Sequence, residues 1–242
     1  VTAGGDAGPV TAGRWSDRAA ERALARGRHW LSAGPWPPAD TDAAGAAQRA
    51  VGIWLADRSC PAPPHGQDRS GSRPTSAAPV TGGLRRQVLA ALQTAPEGGR
   101  SAFGHPFDAL RADPAVLLRA ADEVGSATAF GTDLGRMADD TRSAWSEVLP
   151  IALATAVRGH DLDAGAALLR ASVFLGLADH AATQGAGAFL TARQRPDGGF
   201  GGAAAEAKAP GDAAVRLPLT VSCVWALAEL RRPGVTAEAF AR

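Results

Sequence analysis

The sequence predicts an all-α protein of antiparallel helical hairpins, and three observations carry that expectation. Apolar residues make up 45% of the 242-residue chain and are rich in alanine, aromatics supply only 5%, and tyrosine is absent. That composition favours helices over sheets. Capping residues stand repeatedly in front of amphipathic runs. The loops between the later runs are short, which joins neighbouring helices as antiparallel pairs.

Taken in order, residues 1–15 are Gly- and Ala-rich without periodicity and read as a disordered arm. From residue 16 to 242 the chain reads as a single helical domain. Ser16 is placed as the N-cap of a first helix that runs to Trp30 and Leu31 and is stopped by Pro35, Pro37 and Pro38. A second helix starts near Thr41 or Asp42, carries Ile53, Trp54 and Leu55 on its apolar side, and ends at Asp57-Arg58 before Cys60-Pro61. Residues 61–83 are dense in Pro, Gly, Ser and Arg with almost nothing to bury, so they read as a long loop. Leu84 to Thr94 spaces Leu84, Val88, Leu89 and Leu92 for one face of a short helix.

Asp113 caps and Pro114 opens the next helix, after which Gly125, Gly131 and Gly135 interrupt the pattern. Thr141 begins a helix through Trp145, Val148 and Leu149, which Pro150 should kink or split and Gly159 should stop. Asp161 then caps the most apolar helix of the chain, in which Leu168, Leu169, Val173, Phe174, Leu175 and Leu177 cover nearly the whole circumference. After His180 a helix runs to Gln194, a Gly-rich turn follows, and Pro218 opens a last helix from Leu219 to Leu230.

Twenty-five basic residues against 24 acidic ones leave a formal charge of +1, too little field to hold a phosphate backbone or an anionic membrane. Nucleic acid is therefore not an expected partner. No stretch is apolar and long enough for a membrane span, and residues 1–5 have no signal-peptide pattern. Cys60 and Cys223 fit neither a disulfide framework nor a C-x-x-C spacing, which suits a reducing cytoplasm. Val1 is read as a literally translated GTG start, the mark of a complete bacterial reading frame.

The most distinctive stretch is Gly187 to Gly201, in which Phe189, Leu190, Gln194, Gly198 and Phe200 are spaced as aromatic, aliphatic, Gln, Gly and aromatic. Phe189 and Leu190 anchor a helix, Gln194 ends it, the Asp197-Gly198-Gly199 turn reverses the chain, and Phe200 folds back as a clasp. This pattern resembles the QW-type repeat of the α/α-toroid superfamily, which includes terpene cyclases and the β subunits of protein prenyltransferases. The resemblance implies an incomplete or reduced α/α toroid, with Leu217 to Leu227 as an inner helix whose N-terminus faces a central cavity. Aromatic-Leu pairs at Trp30-Leu31, Trp54-Leu55 and Phe174-Leu175 hint at degenerate repeats.

Catalytic signatures of those enzymes do not carry over. Asp161-Leu162-Asp163-Ala164 lacks the final carboxylate of the Asp-x-Asp-Asp acid, and Asp139-Asp140-Thr141-Arg142-Ser143 breaks the Asp-Asp-x-x-Asp metal cluster at its last position. Cys223 matches the zinc-binding Cys of the prenyltransferases, yet no His follows His180. No metal and no cofactor are expected.

The remaining candidates each have a chemical and a structural reading. His160, Asp161 and Asp163, with His180, are the residues from which a metal site or a proton shuttle would be built. As structure they are helix punctuation, with Asp161 an N-cap and Asp163 a first-turn carboxylate. Thr220, Cys223 and Trp225 are pocket candidates on the last helix, where a reduced Cys and a Trp are also ordinary core residues. Asp197 reads as a turn residue binding its own backbone amides. Trp30, Trp36 and Trp54 either stack a ligand or close a hairpin. The expected function is an accessory or ligand-binding helical protein, its partner an apolar small molecule or another protein. The alternative is an enzyme on an apolar, isoprenoid-like substrate that uses His160, Asp163 and Cys223.

Overall fold

The computed structural model describes Trp15, residues 17–34, Trp36, residues 42–59, Phe103 and residues 105–201 and 213–240. Among these residues the chain is all-helical, with no strand. The helices are α1 (Asp17–Ala33), α2 (Ala43–Ser59), α3 (Pro114–Ala127), α4 (Asp139–Arg158), α5 (Leu162–Phe174), α6 (Ala181–Arg193), α7 (Ala213–Arg231) and α8 (Val235–Phe240), with short 3-10 turns at Pro106–Leu110 and Leu134–Arg136. The loop read at 61–83, the helix at 84–94 and the arm at 1–14 lie outside the described residues. Trp15 belongs to the fold: its backbone N–H donates to Gln184 at 3.2 Å and its indole N–H to Thr191 at 2.9 Å, which ties the entry of α1 to α6.

Two helices form the middle of the molecule. α5 packs against α3, α4, α6 and α7, and α7 packs against α1, α2, α5, α6 and α8. The reason lies in their sequences. Every residue of α5 from Ala164 to Phe174 is buried except Arg170, and Cys223, Val224, Ala226, Leu227 and Ala228 of α7 are fully buried. A helix apolar around most of its circumference is stable only when other helices cover it. The core is one continuous cluster running from Ala23 of α1 to Val235 of α8, and each fully buried Leu in it contributes roughly 1.5–3 kcal/mol.

The caps explain where helices begin and end. Asp42 accepts from Gly45 N–H at 2.9 Å ahead of α2, Asp113 from Val116 N–H at 2.9 Å ahead of α3, and Asp161 from Asp163 and Ala164 N–H ahead of α5. His180 caps α6 through Nδ1, which accepts from Ala182 N–H at 3.1 Å.

α4 ends differently from the expectation. Gly159 is right-handed, and the left-handed residue of the stop is His160, at φ 57°. His160 N–H donates to Val157 O and Asp161 N–H to Ala156 O, the paired bonds of a Schellman motif. Gly176, at φ 85°, closes α5 by the same pair of bonds.

Other boundaries also move. α4 starts two residues before Thr141 and runs unbroken through Pro150, so the proline does not split it. α7 begins at Ala213, with Pro218 inside it. Pro218 stands early in the helix, where its missing N–H withholds a bond from the carbonyl of Ala214 alone. No described helix is long and apolar enough to cross a membrane.

Candidate ligand-binding site

The turn after α6 is built as a clasp. Gln194 ends α6 with its amide buried, and its Nε2 donates to Ala23 O of α1 at 2.8 Å and to Gly198 O at 2.9 Å. Gly198 sits at φ 95°, and a Cβ there would stand 2.3 Å from Arg26 O. Only a residue without a side chain lets the turn approach α1 this closely. Asp197 accepts from Gly199 N–H and from Arg216 Nη1, both at 2.9 Å. Burial pushes the Asp197 carboxyl up, but these two donors outweigh it and hold the group below the usual carboxylate range. Phe200 is fully buried and its N–H donates to Thr220 Oγ1 at 3.0 Å, which locks the turn onto α7.

That arrangement says where several sequence candidates lie. Thr220 is fully buried, with its hydroxyl accepting the Phe200 bond. Asp197 is an exposed turn carboxylate bonded to its own backbone and to Arg216. Trp30 packs edge-on against Trp36, ring centres 4.7 Å apart, and the Arg216 guanidinium lies 5.2 Å over Trp30, so this aromatic pair closes the α1 end. Trp54, half-buried on α2, has the Arg58 guanidinium over its ring.

His160, Asp161, Asp163 and His180 do not converge on one centre. Asp161 Oδ1 and His180 Nδ1 accept from the first turns of α5 and α6. His160 is exposed, stacks on Phe189 at 6.1 Å between ring centres, and has Nδ1 2.8 Å from Arg193 Nη2. Among the described residues no group of three or more His, Cys, Asp or Glu side chains is arranged to hold a metal ion.

Cys223 and Trp225 of α7 both neighbour Arg170 of α5. Cys223 is fully buried, and burial pushes its thiol far above the ordinary range, so it is an inert core residue. Trp225 is half-buried, and α5 presents Arg170 to its ring. The Arg170 guanidinium carbon lies 4.2 Å from the centre of the Trp225 ring, a close cation–π contact. Nη1 of Arg170 donates to both the carbonyl and the hydroxyl of Ser222, each at 3.1 Å. Nε and Nη2 make no hydrogen bond among the described residues.

Charges of both signs gather here. Burial pulls the Arg170 guanidinium below its ordinary value, while Cys223 and the carboxylates of Asp163, Asp122 and Glu229 oppose that. Asp122 on α3 is raised, first by burial and further by Asp163, with Arg170 opposing. Asp163 stands seven residues before Arg170 on α5, about 10 Å along the axis on the same side of the helix. Arg170, Asp122 and Asp163 have no ion-pair partner among the described residues.

No protein-family model, curated protein or solved structure matches this chain.

Behind the arginine runs a bonded chain to the end of the fold. Trp225 Nε1 donates to Thr236 Oγ1 at 2.7 Å, and that hydroxyl donates to Glu229 Oε2 at 2.6 Å. Glu229 is fully buried and accepts from Gly234 and Thr236 N–H at 2.6 and 3.1 Å, which caps α8 with a carboxylate from α7. Burial raises the Glu229 carboxyl, and the Thr236 hydroxyl and the two N–H donors oppose that.

Sequence reasoning named Trp225 and Asp163 but missed Arg170, Ser222, Asp122 and Glu229. A signal was present for two of them. An arginine in the most apolar helix and a glutamate in the last buried one are the residues least expected in a core unless something holds them.

Proposed function

We propose that this chain is a ligand-binding or accessory helical protein of α/α-toroid type, acting in the bacterial cytoplasm, with its binding surface where α5 and α7 meet. The observation that carries the reading is Arg170. It is the one half-buried residue in an otherwise buried stretch of α5, braced by Ser222 and Trp225, with the Nε–Nη2 edge of its guanidinium unused among the described residues. Holding a guanidinium in that setting costs free energy that a core residue would not, and a ligand is what such an edge serves.

The toroid part of the reading draws support from the clasp and from the middle of the fold. Gln194, Gly198 and Phe200 join α6 to α7 with every polar contact turned inward. Two adjacent buried helices with the others packed about them suit hairpins in inner and outer positions. The alternative, an enzyme on an isoprenoid-like substrate, would draw on His160, Asp163 and Cys223. These are the left-handed residue of a helix stop, an exposed first-turn carboxylate and a core thiol.

Native mass spectrometry of the protein from its own host tests the proposal. A retained small molecule, or a partner chain at fixed stoichiometry, is the expected result. A bare chain with neither overturns it.

A further inference from the structure

We propose that the Nε–Nη2 edge of Arg170 binds the carboxylate of a small monocarboxylate ligand and that Asp122 and Asp163 exclude dianions such as phosphate from the same place. The inference rests on the ligand-binding reading and names the ligand's chemical class.

Among the described residues both hydrogen bonds of Arg170 leave from Nη1, to the carbonyl and hydroxyl of Ser222. Two N–H bonds on the opposite edge, one from Nε and one from Nη2, point the same way and match the spacing of two carboxylate oxygens. Trp225 lies against the guanidinium, so the plane of the fork is set before a ligand arrives, and little ordering cost is left at binding.

Selectivity follows from the neighbours. Asp122 on α3 and Asp163 on α5 both act electrostatically on Arg170, and neither is drawn into an ion pair among the described residues. Carboxylates beside the cation penalise any anion in proportion to its charge, so a dianion loses about twice what a monocarboxylate does, while the monocarboxylate keeps the paired bonds from the fork. A hydrocarbon tail on the acid would add apolar burial at half-buried Trp225.

The test uses three probes on the full chain, hexanoate, inorganic phosphate and hexylammonium, followed by the Arg170 Nε–H resonance in NMR and by calorimetry. Saturable hexanoate binding is expected, with phosphate at least about tenfold weaker and hexylammonium without saturation. Arg170→Gln should weaken hexanoate by about tenfold or more, since a charge-assisted pair of bonds is lost. If that variant fails to fold, Arg170→Lys serves instead, because it keeps the cation, removes the fork and should weaken hexanoate severalfold. Asp122→Asn combined with Asp163→Asn should raise phosphate affinity while leaving hexanoate bound.

Equal binding of phosphate and hexanoate, tighter binding of hexylammonium, no saturable hexanoate binding, or indifference to the Arg170 variants would each overturn the proposal. The two proposals fail separately. A native ligand without a carboxylate sinks this one and spares the ligand-binding reading, whereas a bare, partnerless chain sinks that reading whatever hexanoate does.

Discussion

Trp225 joins Arg170 to Thr236: one face of its indole lies 4.2 Å from the guanidinium carbon, and its N–H donates to the Thr236 hydroxyl at 2.7 Å. Its two roles can be separated by substitution. Trp225→Phe keeps an aromatic face and removes the donor, and should cost about 1 kcal/mol in chemical denaturation. Trp225→Ala removes the face as well and should cost about 3 kcal/mol or more. Equal losses in the two variants would mean that the cation–π contact contributes nothing measurable.

Glu229 makes stability depend on pH with a defined sign. Its folded-state carboxyl is raised, chiefly by burial, so between the unfolded value, about 4.3, and the higher folded one the native state holds the extra proton. Stability from this group is therefore complete at low pH and declines as pH rises through that window. Denaturation of wild type and Glu229→Gln across pH 4–8 should show the wild type's advantage shrinking as pH increases. A constant difference would contradict the assignment.

Asp197 has the opposite sign. Gly199 N–H and Arg216 hold its carboxyl low despite partial burial, so its contribution is present above the unfolded value, about 3.9, and fades as pH falls toward the folded one. The loss of stability in acid should be shallower for Asp197→Asn than for wild type.

The clasp gives the sharpest steric prediction. Gly198→Ala combines a left-handed φ of 95° with a Cβ placed 2.3 Å from Arg26 O, a backbone atom that cannot swing aside. A loss of about 3 kcal/mol is expected, read as a drop in the midpoint of thermal or urea unfolding. A near-neutral variant would show that the turn does not approach α1 as described.

A gain in stability is expected at the loop after α3. Ala129, Phe130 and Gly131 follow one another at φ 48°, 56° and 78°, and a left-handed non-glycine residue costs roughly 1 kcal/mol. Ala129→Gly should raise stability by about 0.5–1 kcal/mol. Phe130 is held there by its edge-on contact with Phe174, ring centres 5.9 Å apart.

What the sequence made legible was local. Asp42, Asp113 and Asp161 announce their helices because a capping carboxylate acts on amides two or three residues away. The Asp197-Gly198-Gly199 turn is legible for the same reason, since Asp197 accepts from Gly199 N–H two residues on. Prolines misled for a related reason: Pro150 and Pro218 each remove one N–H, and whether a helix survives that depends on the helices packed around it rather than on the residues beside it. α8 was invisible because its cap comes from Glu229 on the preceding helix, not from a residue at its own start.

The site was legible only in part. Trp225 and Asp163 drew notice as an aromatic and a carboxylate, yet Arg170, 55 residues before Trp225, acquires meaning only when α5 lies against α7. His160 drew notice for its imidazole and turned out to be the residue that takes the left-handed step beside a glycine that does not.

The line of contacts from Arg170 through Trp225 and Thr236 to Glu229 ends on the first amides of α8. The last short helix is therefore a built-in reporter. Any event that lifts the arginine from the indole loosens Thr236, and the exchange of the Gly234 and Thr236 amides with deuterium records it at a distance from the event itself.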